Sequence, residues 1–342
     1  MYSAVSRYLS QSLVGIIPPL TPIEPYRDIN MNVWRTNGSH HLLGSSKKEF
    51  VLGANQRNYA SHLIAEIEHL LNHASEHRAH MLNAISTNRE PSPTWMFVSL
   101  YYFSLFIAMA WTRMANKGIF YLDKDAIGIF CGAQKQAPAA GAYRVIASEN
   151  LTKARFEVTY KKCNRSHFHE AVWLETSEIT KQIHTWVRTL SSSRKPTDDE
   201  ILAIRSMELF QGVKFIDQQT WPSTLRNSLN YRPGFGYRSV PKHNSLKTTS
   251  RLSKPRLNNL SEVLTLGENA KVKLSQFKEP FNSPNESIDL LVAQSLVLEA
   301  YVEESLKQLF DIHQLSCSAH SSRKKFDRQY AASTNSLLSS LC

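Results

Sequence analysis

The stretch that decides the fold is VSLYYFSLFIAMAWTRMANKGI, from Val98 to Ile119. It overlaps a run from Trp95 to Trp111 that contains no charged residue and whose 17 positions reach the lower limit for crossing a bilayer. The same run suits a central helix buried on all sides, and the rest of the chain offers no second span. The predicted helix extends beyond this run and ends at Asn116-Lys117-Gly118, a cationic, glycine-terminated helix stop. We expect a buried core helix, with a membrane span as the alternative.

Length and composition favour an ordered, largely helical globular protein. The chain has 342 residues, 42% hydrophobic and 10% aromatic, with only 12 glycines, so it can bury a sizeable core. Its four cysteines lie far apart and form no CxxC pair, so the sequence suggests neither a zinc ribbon nor a disulfide framework. The N-terminus makes a poor secretory signal. We therefore expect a cytoplasmic protein.

The charge balance points to a polyanionic partner. The formal net charge is +11 and the sequence pI is near 9.4. A surface of this kind attracts nucleic acid or another phosphate-rich molecule, although charge alone selects no fold.

Helical periodicity and capping signals divide the chain into segments. Asn55 provides an N-cap for a long amphipathic helix, Thr197 to Glu200 reads as a capping box, and β-branched runs near 119–163 predict a small antiparallel sheet. The expected organisation is an N-terminal arm (1–46), a helical domain that includes the sheet (47–237), a basic linker (238–282), a C-terminal helix (283–313) and a basic Ser-rich tail (314–342).

Several familiar catalytic motifs are absent from the sequence. It contains no GxxxxGK[ST] phosphate loop, no strand-linked GxGxxG, no HExxH and no GxSxG elbow. Nucleotide hydrolysis, dinucleotide redox chemistry, zincin chemistry and α/β-hydrolase chemistry therefore have no support.

A row of histidines lies along the first long helix, in RNYASHLIAEIEHLLNHASEHRAH, from Arg57 to His80. At helical spacing its five histidines form one stripe beside the apolar face. Three interpretations remain open: a metal site using pairs four residues apart, a face that stacks on bases and donates to phosphates, and a solvated or interhelical polar face. A single helix cannot surround a zinc ion, so we expect no bound metal and no cofactor.

Two motifs in the sequence begin with Arg-Asn. In each, a possible proton acceptor lies four positions after the asparagine. The first pairs Arg57 with His62, and the second, in LRNSLNYRPGFGY, pairs Arg226 and Asn227 with Tyr231. A base that takes the 2'-hydroxyl proton and a cation that stabilises the phosphorane suffice for metal-free RNA cleavage. Arg57 and His62 differ by about 140° around a helix, so they converge only if the motif begins in the first turn.

Two of these segments together resemble the HEPN superfamily, helical-bundle proteins found in prokaryotic toxin and defence systems, and YaaC-like proteins share the same general layout. The Val98–Ile119 stretch resembles the family's tyrosine-pair helix, and LRNSLNY resembles the later Arg-Asn-x-x-x-His helix in the correct order. Tyr231 occupies the position of the family's catalytic histidine, as in degenerate, non-catalytic members. Arg57 with His62 matches the full motif but precedes the tyrosine-pair helix.

The resemblance implies a mainly α, HEPN-like helical bundle with a small antiparallel β insertion and a basic C-terminal extension. The resemblance further implies that the protein is a component of a bacterial defence or toxin-type system and binds nucleic acid, RNA rather than DNA. It would act as a homo-oligomer or as a subunit of a larger complex. The alternatives are a metal-independent endoribonuclease and a membrane-associated effector or scaffold. The expected nucleic-acid contacts come from basic residues: Arg226, Arg232, Arg238, Lys242, Lys247, Arg251, Arg323, Lys324 and Lys325.

Overall fold

The computed structural model describes residues 2–19, 21, 30–86, 93–132, 138–165, 167–213, 218–231, 260–278 and 284–315. Within them the chain is mainly helical and carries one five-stranded antiparallel sheet, which confirms the expected fold class at that level. The chain divides into two compact units. The described residues of unit 1 lie within Met1–Leu70, Met109–Ile179 and Val302–Ser321, and those of unit 2 lie within Leu71–Ala108 and Thr180–Tyr301.

The helices of the described residues are numbered in chain order. They are α1 (Ala4–Val14), α2 (Met31–Asn37), α3 (Gln56–Ser86), α4 (Pro93–Met114), α5 (Lys124–Cys131), α6 (Phe168–Leu190), α7 (Asp198–Glu208), α8 (Trp221–Tyr231), α9 (Leu260–Leu274) and α10 (Pro284–His313). Helices α3, α4, α6 and α10 each contribute residues to both units.

The sheet belongs to unit 1. Its strands are β1 (His40–Ser45), β2 (Glu49–Ala54), β3 (Gly118–Leu122), β4 (Gly141–Asn150) and β5 (Arg155–Lys162), in the order β1-β2-β5-β4-β3. All neighbouring strands are antiparallel. The sheet expected near 119–163 is therefore present as β3, β4 and β5, and the β1–β2 hairpin extends it.

Aromatic side chains fill the core on one face of this sheet. Phe50 of β2 stacks on Tyr160 of β5 with ring centroids 4.6 Å apart, and Phe130 of α5 lies 5.2 Å from the same tyrosine. Trp34 of α2 is fully buried and lies 5.2 Å from Tyr59 of α3 in an edge-on contact. Such rings bury large apolar areas and hold the helices against the sheet.

The beginning and end of the described chain meet inside unit 1. The hydroxyls of Ser3, the N-cap of α1, and of Ser6 in its first turn both donate to the carboxylate of Glu304, and the Ser3 amide donates to it over 3.2 Å. Tyr2 donates to Asp311 on the same helix, α10. The N-terminal helix is thus fastened to the C-terminal one.

Unit 2 is a group of packed helices tied by polar contacts. Ser295 of α10 donates to the Ser104 hydroxyl of α4 over 2.7 Å, and Arg78 of α3 forms a buried ion pair with Glu299 of α10. Arg205 of α7 pairs with Glu268 of α9 at 2.8 Å. These contacts support the helical-bundle character that the sequence predicted.

Helix α4 is long and apolar enough to cross a membrane by length and composition. Thr94–Met114 has a most apolar window of mean hydropathy 1.4, and 72% of that window is buried within the structure. A core helix of a soluble protein passes the same test.

Some segments differ from the sequence-based expectation. The N-terminal arm expected over 1–46 contains α1, α2 and β1, and the basic linker expected over 238–282 contains α9. The first part of the region expected to form the sheet, residues 119–130, divides at Asp123 into β3 and α5, because the Asp123 side chain accepts the Ala126 amide as an N-cap. Most of the basic tail lies outside the described residues.

Candidate functional site

The second Arg-Asn motif lies on α8 in unit 2. Its apolar side is anchored by buried Trp221 and Leu225, and the Tyr101 hydroxyl of α4 lies 3.1 Å from the Ser223 hydroxyl. Arg226 is half-buried and Asn227 is exposed. Of these two motif residues, only Asn227 is therefore open to solvent.

Arg226 contacts the tyrosine pair of α4. Its Nη2 donates to the Tyr102 hydroxyl over 3.3 Å, and its guanidinium carbon lies 5.9 Å from the centre of the Tyr101 ring. Its Nη1 donates to the Asn227 side-chain oxygen over 3.0 Å. The α4 and α8 segments that carry the family resemblance are thus in contact through Arg226, Tyr101 and Tyr102.

The histidine row of α3 reaches the same tyrosine. The His77 ring stacks on Tyr102 with centroids 5.6 Å apart and planes at 18°, and on Phe106 at 5.7 Å and 26°. His73 lies 5.2 Å from Phe106. His73 and His77 are one helical turn apart, as are Tyr102 and Phe106, so the two pairs face each other. We call His73, His77, Tyr102, Phe106 and Arg226 the α3–α4–α8 cluster.

Burial and neighbouring imidazoles set the charge of this cluster. Partial burial lowers the pKa of His77, the neighbouring His80 and His73 lower it further, and Glu76 opposes the shift. His77 is therefore mostly neutral near pH 7. His73 and Glu76 form a pair at 3.3 Å whose side chains are both exposed, so the row is open to solvent at this turn.

The cluster combines the features that hold single-stranded nucleic acid. A guanidinium can bind a phosphate, and half-buried aromatic rings beside it can stack on an unpaired base. Neutral imidazole next to them can accept a proton from a bound hydroxyl. These groups come from three helices of one unit.

The first Arg-Asn motif lies at the start of α3, in unit 1. Asn55 caps the helix, since its side chain accepts the Asn58 amide over 2.9 Å, so Arg57 is in the first turn as the motif requires. Arg57 is exposed, and His62 Nδ1 donates to the Asn58 carbonyl over 2.7 Å. No hydrogen bond joins Arg57 to His62. The hydrogen bonds of the described residues therefore do not join Arg57 and His62 into one site.

The other expected basic contacts lie outside the described residues. This applies to Arg232, Arg238, Lys242, Lys247, Arg251, Arg323, Lys324 and Lys325. Tyr231 is the last residue of α8, and its side chain is also outside the description.

Possible metal ligands do not gather in the part of the chain that the structure describes. No group of three or more His, Cys, Asp or Glu side chains there could hold an ion. The spacing of His69, His73 and His77 on one helix does not create such a group, because one helix presents its ligands to one side only.

Comparison with known proteins gives no relative: no family model, no curated protein and no solved structure matches this chain significantly.

The sequence did not predict that Tyr102 and Phe106 contact His73 and His77 of the histidine row. The available signal was the shared spacing of four residues in the His73–His77 and Tyr102–Phe106 pairs. Periodicity shows that each pair lies on one face of its helix, but not which helix it meets.

Proposed function

We propose that this chain binds single-stranded RNA through the α3–α4–α8 cluster. The observation that supports this most directly is Arg226 held by the Tyr102 hydroxyl, beside rings that stack with His77. Unpaired bases are recognised by stacking on aromatic and His side chains, while arginine binds the adjoining phosphate. A double helix hides its base faces, so single strands are the better ligand.

The biological setting follows from the HEPN resemblance. In that setting the protein acts in a bacterial defence or toxin-type system, in the cytoplasm, as a homo-oligomer or as a subunit of a larger complex. The ligand is RNA rather than DNA, because the resemblance is to RNA-targeting proteins. The net charge of +11 adds a long-range attraction that brings any polyanion to the surface.

Binding of fluorescently labelled RNA to the full chain tests the proposal. We expect Arg226→Ala to weaken the binding of a single-stranded 20-mer by about tenfold or more, because a charge-assisted phosphate contact is lost. Lys273→Ala is the matched control: it removes one exposed charge from α9 in the same unit and should change affinity by less than about twofold.

Fluorescence anisotropy with single-stranded RNA, duplex RNA and single-stranded DNA supplies the measurement. Equal losses for the two variants, or tighter binding of the duplex than of the single strand, would contradict a specific site at Arg226. Circular dichroism of both variants checks that the helices are retained.

A further inference from the structure

The accessible side of helix α4 within unit 2 consists of apolar and aromatic side chains. Between Trp95 and Phe106, the side chains that are not buried are those of Trp95, Val98, Tyr102 and Phe106. Their spacings of three and four residues place all four on one face of the helix. We call these four residues the α4 stripe. Tyr102 and Phe106 also belong to the α3–α4–α8 cluster, so the stripe continues the cluster towards the start of α4.

Trp95 is the most exposed member of the stripe. Its exposed fraction is 69%, whereas each of the other five tryptophans of the chain is buried or half-buried. Leaving a large indole in water is unfavourable, and an exposed apolar patch commonly marks a site of interaction. The stripe therefore needs a ligand that covers Trp95 as well as the rings of the cluster.

The distance between Trp95 and Tyr102 suits a short strand of nucleotides. The two residues are seven positions apart on α4, which corresponds to about 10 Å along the helix axis. Successive stacked nucleotides of one strand rise by about 3.4 Å, so about three nucleotide steps cover this distance. A strand with one base on Tyr102 thus brings its fourth nucleotide to Trp95, and a dinucleotide is too short to reach both rings.

The charges beside the stripe favour an anionic ligand. Within residues 71–84 of α3, 94–108 of α4 and 221–231 of α8, Glu76 is the one acidic residue, and it pairs with His73. Arg226 donates to the hydroxyl of Tyr102, which is itself part of the stripe. An apolar helix of a partner protein would cover the stripe but give this guanidinium no anion. Nucleic acid supplies both flat rings for the aromatic side chains and a phosphate for the arginine.

We propose that the RNA strand bound at the α3–α4–α8 cluster continues along the α4 stripe and stacks a second base on Trp95. This inference rests on the proposed function, because the strand must also be held at Arg226. It adds Trp95 as a binding residue and sets the shortest fully bound strand at about four nucleotides. Stacking on an aromatic ring accepts every base, so the stripe adds affinity for strand length rather than for sequence.

Fluorescence anisotropy of a labelled single-stranded 20-mer with the full-length chain tests the role of Trp95. Trp95→Ala should weaken binding about tenfold, because one base loses its stacking partner. Trp95→Phe keeps a ring and should stay within about threefold of the wild type. Val272→Ala is the matched control, since it shortens a side chain of the same unit that is 68% exposed, and it should leave the affinity unchanged.

Strand length separates the contribution of Trp95 from that of Arg226. A dinucleotide, used as a competitor of the labelled 20-mer, covers the cluster alone. It should bind the wild type and Trp95→Ala equally, whereas Arg226→Ala should bind it more weakly. Lengthening the competitor beyond about four nucleotides should increase the affinity of the wild type more than that of Trp95→Ala.

Tryptophan emission reports directly on the stack. Single-stranded RNA should quench the emission of the wild type, and most of this quenching should be absent in Trp95→Phe. Trp186→Phe is the control, because it removes a half-buried tryptophan of the same unit and should retain the quenching.

The outcomes for the two proposals are distinct. Unchanged affinity of Trp95→Ala for the 20-mer would overturn the role of Trp95 and leave binding at Arg226 intact. Dissociation of a dimer in Trp95→Ala without loss of RNA affinity, seen by sedimentation, would assign the stripe to a second copy instead. A shift of the Trp95 emission by phosphatidylglycerol vesicles but not by RNA would assign it to a membrane. Failure of the wild type to bind single-stranded RNA would refute both proposals. If Trp95→Ala proves unstable by thermal melting, Trp95→Gln provides the same test.

Discussion

Arg113 is an almost fully buried charge near the end of α4, in unit 1. Its Nη2 donates to Glu66 of α3 over 2.9 Å, and its guanidinium carbon lies 4.3 Å from the centre of the Phe120 ring. The other oxygen of Glu66 accepts the Met31 amide over 3.3 Å. Burial lowers the pKa of Arg113, and Glu66 opposes that shift. The buried positive charge of Arg113 is tolerated because the carboxylate of Glu66 carries the opposite charge beside it.

Removal of Glu66 should therefore be costly. Glu66→Ala leaves the buried charge of Arg113 without its partner, and we expect the free energy of unfolding to fall by about 3 kcal/mol. Urea denaturation measures the change. Glu76→Ala, at an exposed position of the same helix, should cost less than about 0.5 kcal/mol. Similar losses for the two variants would contradict the importance of the buried pair.

Helix α7 begins with a complete capping box. The Thr197 side chain accepts the Glu200 amide, and the Glu200 side chain accepts the Thr197 amide over 2.9 Å. Arg194 donates to the Glu200 carboxylate, and these bonds lower the pKa of Glu200 to about 2. The start of the helix is therefore fixed by a carboxylate that must remain ionised.

The stability of this helix start should depend on pH. A carboxyl group whose pKa is lower in the folded state stabilises that state above its unfolded pKa, near 4.5, and loses this contribution as the pH falls towards 2. Arg194→Met should lower the melting temperature at pH 6, and the difference from the wild type should shrink by pH 2.5. Lys181→Met on α6 is the control for loss of one charge. A difference that stays constant with pH would contradict this interpretation.

For the whole molecule, the positive charge should make RNA binding strongly dependent on salt. Each phosphate neutralised on a single strand adds about 0.7 to the slope of log affinity against log salt, through counterion release. Replacing Arg323, Lys324 and Lys325 together by alanine should reduce the slope by about 2 if all three contact phosphates. Titrations between about 50 and 200 mM salt measure it. An unchanged slope would exclude Arg323, Lys324 and Lys325 from the RNA-binding surface.

Much of the helical framework could be predicted because its signals are local. The uncharged run located α4, Asn55 located the start of α3, and Thr197 located α7. Helix α9 was missed because it follows a basic, Ser-rich segment and was read as part of a linker.

The candidate site was only partly predictable. Arg226 and the tyrosine pair were identified as motifs, but their contact was not predicted. The approach of His77 to Tyr102 depends on which faces of α3 and α4 pack together. The sequence of each helix does not determine these faces, since the side-chain ridges of two amphipathic helices can pack together in several ways.

The contact of α1 with Glu304 has a consequence for synthesis on the ribosome. Ser3 leaves the ribosome 301 residues before the carboxylate that it binds. Unit 1 also requires Val302–Ser321, so it cannot be completed while the nascent chain still lacks the end of α10. Its sheet and aromatic core can assemble earlier, because their strands end at Lys162. The contacts of α1 with Glu304 must wait until α10 has been translated.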